Sequence, residues 1–194
     1  MAPQDPYTAK TGAEATPQEK LDLFNAVIKP VKTSMLVSRN TDGFLHSRAM
    51  TPVAVEHLTF YYIANVKSGK TKEFENDSHV NISYYDPAST NWASLAGTAS
   101  VTQDQATIDK VWNPALKAWF GDLGDGKHTG EKDDPRIMVI VVKPESIHFW
   151  HNTSSKLGFA YEVVKGAVTG DTAAPGELMT IETDEIKLIN GLKK

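Results

Sequence analysis

The sequence predicts a mainly β protein with α additions, about six strands in meander order forming an antiparallel barrel or sheet with helices inserted between them. Three observations lead there. Short β-branched and aromatic runs recur from Ser34 onward, among them Leu58–Asn65 (LTFYYIAN) and the run from Arg136 to Val142. Close turn signals separate them, the clearest being Asn40-Thr41-Asp42-Gly43. Helical periodicity is confined to a few inserts.

Residues 1–16 are polar, small and proline-containing, and read as a loose tail. Thr16-Pro17 with Glu19 starts a helix, with Thr as N-cap and Pro at the first turn. Leu21, Phe24, Val27 and Ile28 share one face of it, and Pro30 ends it. Ser34–Ser38 and Phe44–Met50 form a strand pair, and Val53–Val55 continues the second strand beyond Pro52 as an edge or bulge. After the strand Leu58–Asn65, Lys67–Asn76 reads as a short helix, and Val80–Tyr85 and Asn91–Val101 as strands. A helix starts at Gln105, restarts at Pro114 and runs to Phe120, which places Trp112, Trp119 and Phe120 on a packed face. A Gly- and Asp-rich loop fills 121–135. Arg136–Val142 is a strand interrupted at Lys143-Pro144 and resumed from Ser146 to His151; Glu177–Lys194 reads as a strand and a short helix.

Composition removes several chemistries. The chain of 194 residues has no cysteine, which excludes disulfide scaffolds, Cys-based zinc or iron–sulfur sites, thiol nucleophiles and cysteinyl–flavin adducts. A formal charge of -4 argues against a nucleic-acid binder working by bulk positive charge. The longest purely apolar run, Ile137–Val142, is too short for a membrane helix, and the N-terminal segment lacks the apolar core of a secretory signal. The expectation is a soluble cytoplasmic protein with no nucleic-acid or membrane partner.

The chemistry-bearing string is Ala64-Asn-Val-Lys-Ser-Gly-Lys-Thr71, which follows a strand and opens a helix. It satisfies a relaxed phosphate-loop pattern, so a nucleotide hydrolase is one reading. The short, close-coupled flanking strands oppose it, because such enzymes need parallel strands and helical crossovers. What remains is an anion site: backbone N–H groups of Ser68, Gly69 and Lys70 at a helix start, a lysine charge and two hydroxyls. Arg48, in the run His46–Val53, is a mid-strand arginine that needs a partner. A phosphate would serve, and so would an acid such as Glu56. Trp92 and Trp150 are candidates to flank a planar ring, against the ordinary reading as core. His148 and His151 point to opposite faces of a strand, which disfavours a metal site. No nucleophile elbow, HExxH or dinucleotide glycine motif is present, and nothing identifies a general base.

In order and spacing these pieces resemble the pyridoxamine 5'-phosphate oxidase-like FMN-binding split barrels. The resemblance rests on SRAMTPV, FYYIANVKSGKTKEF, VNISYYD and the strand ending Gly97-Thr-Ala. Asp104, Val111-Trp112-Asn-Pro114, Trp119-Phe120, Asp133-Asp-Pro135 and Phe149-Trp150 are similar to the general stress protein branch, which includes fungal blue-light-inducible proteins. The resemblance covers about residues 17–165 and implies a six-stranded split barrel, with 166–194 as an extension packed on the same domain. It also implies a homodimer with FMN, ahead of FAD or a deazaflavin, at the subunit interface. On it, Arg48, Lys70, Ser68 and Gly69 hold the FMN phosphate. Met50, Thr51 and Val53 run under the flavin, and Tyr62 and Ile63 lie beside it. Trp92 stands where the oxidases place a polar contact, and Trp150 approaches the cofactor from the partner subunit. The oxidases' Arg-x-His-Asp-Arg segment is replaced by His151–Lys156, which carries no arginine, so vitamin B6 oxidation is not expected. The leading expectation is a flavin-dependent oxidoreductase of general stress type, with NAD(P)H as a candidate reductant. The alternative is a non-catalytic flavin store or sensor.

Overall fold

The computed structural model describes residues 15–154, 165 and 176–191. The rest of the expected tail and extension, and Ser155 and Lys156 of the segment after Trp150, lie outside the described residues. The elements are α1 Pro17–Ile28, β1 Ser34–Arg39, β2 Leu45–Met50, β3 Ala54–Glu56, β4 Thr59–Asn65, α2 Lys70–Asn76, β5 His79–Tyr85, β6 Trp92–Thr102 and α3 Gln105–Val111. A 3-10 helix Pro114–Trp119, β7 Ile137–Asn152, β8 Gly176–Ile181 and α4 Thr183–Gly191 complete them.

The strands form one mainly antiparallel sheet in the order β2-β1-β5-β6-β7-β4-β3, with β8 on β7. It has eight strands rather than the expected six, and no ladder joins its ends, β2 and β3, among the described residues. One extra strand arises at Pro52, which ends β2; β3 then starts anew, Val53 N donating to Tyr61 O at 2.8 Å. The other is β8, from the C-terminal segment. The expected break at Lys143-Pro144 is absent: β7 runs unbroken over 16 residues. Gly97 on β6 explains part of this. A Cβ there would lie 2.2 Å from Lys143 O and 2.7 Å from Pro144 Cα, so only glycine lets β6 pass the proline so closely.

The chain divides into two compact units. The first comprises Met1–Lys32, Ser83–Leu95 and Ser146–Lys194. Its helix α1 starts as expected, with a reciprocal capping box: Thr16 Oγ1 accepts from Glu19 N at 3.3 Å and Glu19 Oε2 accepts from Thr16 N at 2.8 Å. Leu21, Phe24 and Val27 are buried, and Phe24 meets Phe149 edge to face at 5.9 Å. Lys20 ties α1 to Glu185 of α4 at 2.8 Å.

The second unit comprises Thr33–Ile82 and Ala96–Glu145. β1 and β2 pair with Leu36 opposite Arg48, so Arg48 shares the face on which Leu36 is buried. The β3–β4 hairpin turns on His57 (φ 46) and Leu58 (φ 59), a left-handed pair without glycine that no sequence signal announces. Ile108 and Val111 of α3 pack on Ile137 and Val139 of β7, with Ile63, Trp112 and Phe120 against this cluster. Helix α2 begins at Lys70, three residues later than expected, because Asn65 claims the turn: its carbonyl accepts from Ser68 N and its Oδ1 from Lys67 N, each at 2.9 Å.

Candidate functional site

A cavity of about 720 Å³ lies within the second unit, inside the roughly 300–1,000 Å³ range of small-molecule sites. Arg48 to Val53, the end of β2 and the link to β3, form one wall. Ile63, Ala64 and Asn65 come from β4, Lys70 from the start of α2. The opposite wall is Asn113, Ala115, Leu116, Trp119 and Phe120, on and around the 3-10 helix, and Thr33 completes the lining. Among the described residues, Arg48 and Lys70 are the ionisable side chains in the lining, and no carboxylate or histidine joins them. Such a cavity suits a ligand with an apolar body and an anionic end.

Arg48 is already anchored. Its Nη2 donates to Glu73 Oε2 and its Nη1 to Ser38 Oγ, each at 2.6 Å, while the Ser38 hydroxyl donates to the same Glu73 oxygen. The acid that meets Arg48 is therefore Glu73 and not Glu56, which pairs with Lys110. β4 separates Glu56 from Glu73 in the chain, and it is α2 that returns an acid to β1 and β2. Burial pushes the Glu73 carboxyl up, but the Ser38 hydroxyl, the Arg48 charge and hydrogen bond, and His46 together hold it below its ordinary value. Lys70 has no ion pair among the described residues. Burial, and then the neighbouring Arg48 charge, lower its pKa, with Glu73 opposing.

Of the residues singled out from the sequence, Arg48, Met50, Thr51, Val53, Ile63 and Lys70 all line this cavity. Tyr62 does not: it is fully buried on the other face of β4, its hydroxyl 2.9 Å from Ser34 Oγ. Alternation along the strand separates it from Ile63. Gly69 has an ordinary φ of -62 and open space where a Cβ would stand. Of the three N–H groups expected to be free, that of Ser68 is taken by Asn65. Ser68 Oγ, by contrast, is buried without a hydrogen-bond partner, alone in this among side chains of the described residues. Trp92 and Trp150 belong to the first unit and neither lines the cavity. Trp150 packs over Gly176, where a Cβ would sit 2.8 Å from the indole.

The sequence reading missed the wall from Asn113 to Phe120. Trp112 and Phe120 are packed as expected, 6.5 Å apart, but Trp119 is 83% exposed. Seven residues apart, Trp112 and Trp119 would share one face of a continuous α-helix. The chain leaves that phase at Trp112 and resumes at Pro114 as a 3-10 helix, turning Trp119 outward.

The phosphate-loop reading fails on topology. β4, the strand feeding Ala64–Thr71, is antiparallel to both β3 and β7. A family model described as pyridoxamine 5'-phosphate oxidase like matches residues 19–174. The chain belongs to that family. Protein bli-3 of Neurospora crassa is 37% identical over 189 residues, covering 95% of this chain and 90% of the relative. Among solved structures of this oxidase-like class, a protein from Clostridium acetobutylicum related to general stress protein 26 of B. subtilis superposes with a TM-score of 0.62 at 15% identity. It covers 89% of this chain and 99% of its own. The general stress FMN/FAD binding protein of Xanthomonas citri gives 0.54 at 23% identity, over 68% of this chain and 88% of that one. No helix of the described residues is long and apolar enough to cross a membrane.

Proposed function

We propose that this oxidase-like chain is an FMN-binding flavoprotein of general stress type that works as an oxidoreductase. The carrying observation is the cavity: two cations and no acid set in largely apolar walls. Lys70 and Arg48 would hold the phosphate end, and Ser68 Oγ is a buried hydroxyl still owed a partner. Met50, Val53 and Ile63 would give the apolar surface for the ring, with Thr51 beside them. The name of the Xanthomonas citri relative, an FMN/FAD binding protein, supports the same ligand class. When bound, the flavin supplies electron or hydride transfer, for which the lining needs no general base. The protein's own part is to bind, orient and screen the ring, and Lys70 holds a positive charge towards the tail.

A homodimer, a role for Trp92 and Trp150 at the cofactor, NAD(P)H as reductant, a cytoplasmic location and 17–165 as the cofactor-binding domain complete the proposal on family analogy. The test is direct. Purified protein should show flavin absorbance bands or take up FMN on titration, and bind it more tightly than riboflavin, which lacks the phosphate. Failure to bind FMN or FAD sinks the proposal. NAD(P)H turnover with an electron acceptor separates an oxidoreductase from a flavin store.

A further inference from the structure

We propose that Trp119 is a stacking wall for the ring of the cavity's ligand, held in place by an Asp134–Arg136 clamp. The inference rests on the flavin reading above and adds a residue that the sequence did not assign to the site.

The lining contains two aromatic side chains, Trp119 and Phe120. Phe120 is committed: it packs on Trp112 and on the cluster of Ile108, Val111, Ile137 and Val139. Trp119 is not. At 83% exposure it is the most open large apolar side chain of the described residues, yet it borders the cavity. An indole left in water beside an apolar cavity gains most when a flat ring covers it.

Its backbone is fixed although its side chain is free. Arg136 Nη1 donates to Phe120 O at 2.9 Å and its Nη2 to Gly121 O at 2.7 Å, gripping the residues that follow Trp119. The guanidinium is itself held by Asp134, with Nη2 2.6 Å from Oδ2 and Nε 3.0 Å from Oδ1. Asp134 is buried and also accepts from Gly130 N at 2.7 Å and Arg136 N at 2.8 Å. The Arg136 hydrogen bonds, against the opposing push of burial, hold its carboxyl far below the usual carboxylate range. The clamp is thus charged across the whole working pH range and holds rigid the backbone that follows Trp119. That rigidity reduces the ordering cost of stacking.

The ligand class follows: a planar, extended heteroaromatic ring carrying an anionic tail. The tail belongs with Lys70 and Arg48, and the ring with the apolar lining and Trp119.

The experiment titrates FMN into the full-length protein and into Trp119→Ala, Trp119→Phe, Arg136→Lys and Trp119→Ala/Arg136→Lys. Flavin fluorescence, thermal midpoint and size-exclusion volume are read for each. The exposed indole can be removed without loss of folding, so Trp119→Ala should melt like wild type. It should bind FMN about tenfold more weakly and leave the bound flavin brighter, with Trp119→Phe between the two. Arg136→Lys, which keeps the charge but loses the fork, should weaken binding when Trp119 is present and add nothing in the Trp119→Ala background. The proposal is overturned if Trp119→Ala binds FMN with unchanged affinity and fluorescence, or if its weaker binding tracks a changed oligomeric state. Wild type that binds no flavin would defeat the proposed function itself, a different result from flavin binding that ignores Trp119.

Discussion

Glu73→Gln should loosen the fold while tightening the hold on an anionic ligand. Glu73 and Arg48 keep only 15% and 19% of their side chains exposed, and they meet at 2.6 Å with the buried Ser38 hydroxyl between them. Breaking a fully buried pair costs about 3–5 kcal/mol and an exposed one about 0–1. This pair lies between those limits, and a glutamine oxygen can still accept from Ser38. The expected loss is therefore about 2 kcal/mol, and at about 2–4 °C per kcal/mol for a chain of this size the thermal midpoint should fall by about 4–8 °C. Glu73 has a folded pKa below its ordinary 4.5. Its stabilisation is accordingly full above that value and lost as pH falls through the folded pKa. Thermal unfolding of flavin-free protein should thus show the wild type and the variant well separated at pH 7 and converging in acid. FMN titration of the same samples should show tighter binding by the variant, because Arg48 is released from its internal acid. An unchanged midpoint at pH 7, or a difference that persists undiminished in strong acid, would refute the assignment of Glu73 as Arg48's counter-charge.

Lys70→Met should act with the opposite sign: FMN affinity falls towards that for riboflavin while the midpoint holds or rises, since a half-buried cation without an ion pair among the described residues is removed. Because Lys70 has a lowered pKa, FMN binding should also weaken with rising pH below its ordinary 10.5, while its drag on stability is relieved; paired binding and melting curves check both. Gly97→Ala should destabilise by about 1–3 kcal/mol or abolish folding, because the new methyl meets the Lys143 and Pro144 backbone, which cannot yield as a side chain would. Thr16→Ala should cost about 1 kcal/mol by removing the capping box, read by urea unfolding. Pyridoxine 5'-phosphate should not be turned over at an enzymatic rate, and steady oxidation of it by the purified protein would remove the argument from the missing arginine.

Local chemistry made much of this protein legible from its residues. The capping box of α1, the β1–β2 turn at Asn40–Gly43 and the alternation of β4 are each decided within a few neighbouring residues. Six of the 16 residues lining the cavity were also named from the sequence: Arg48 and Lys70 because a mid-strand arginine and a lysine at a helix start are conspicuous in any frame, and Met50, Thr51, Val53 and Ile63 through the family resemblance. The β3–β4 turn was not legible, because His57 and Leu58 are not residues that advertise a left-handed backbone. Nor was the continuity of β7, which depends on a glycine on another strand, about forty-five residues away in the chain.

The absence of cysteine, the order of short strands and the oxidase-like family were legible in the sequence alone, and so was the expectation of an anion site at Arg48, Ser68 and Lys70, of which Arg48 and Lys70 line the cavity. Tertiary structure decided the rest, because pairing over long distances obeys space rather than sequence separation. It assigned Glu73 to Arg48, left Lys70 without an ion pair among the described residues, sent Tyr62 to the core and turned Trp119 to the rim of the cavity. Each depends on which face of a strand or helix meets which neighbour. A helix that changes pitch at Pro114 alters that answer without changing a residue in the motif.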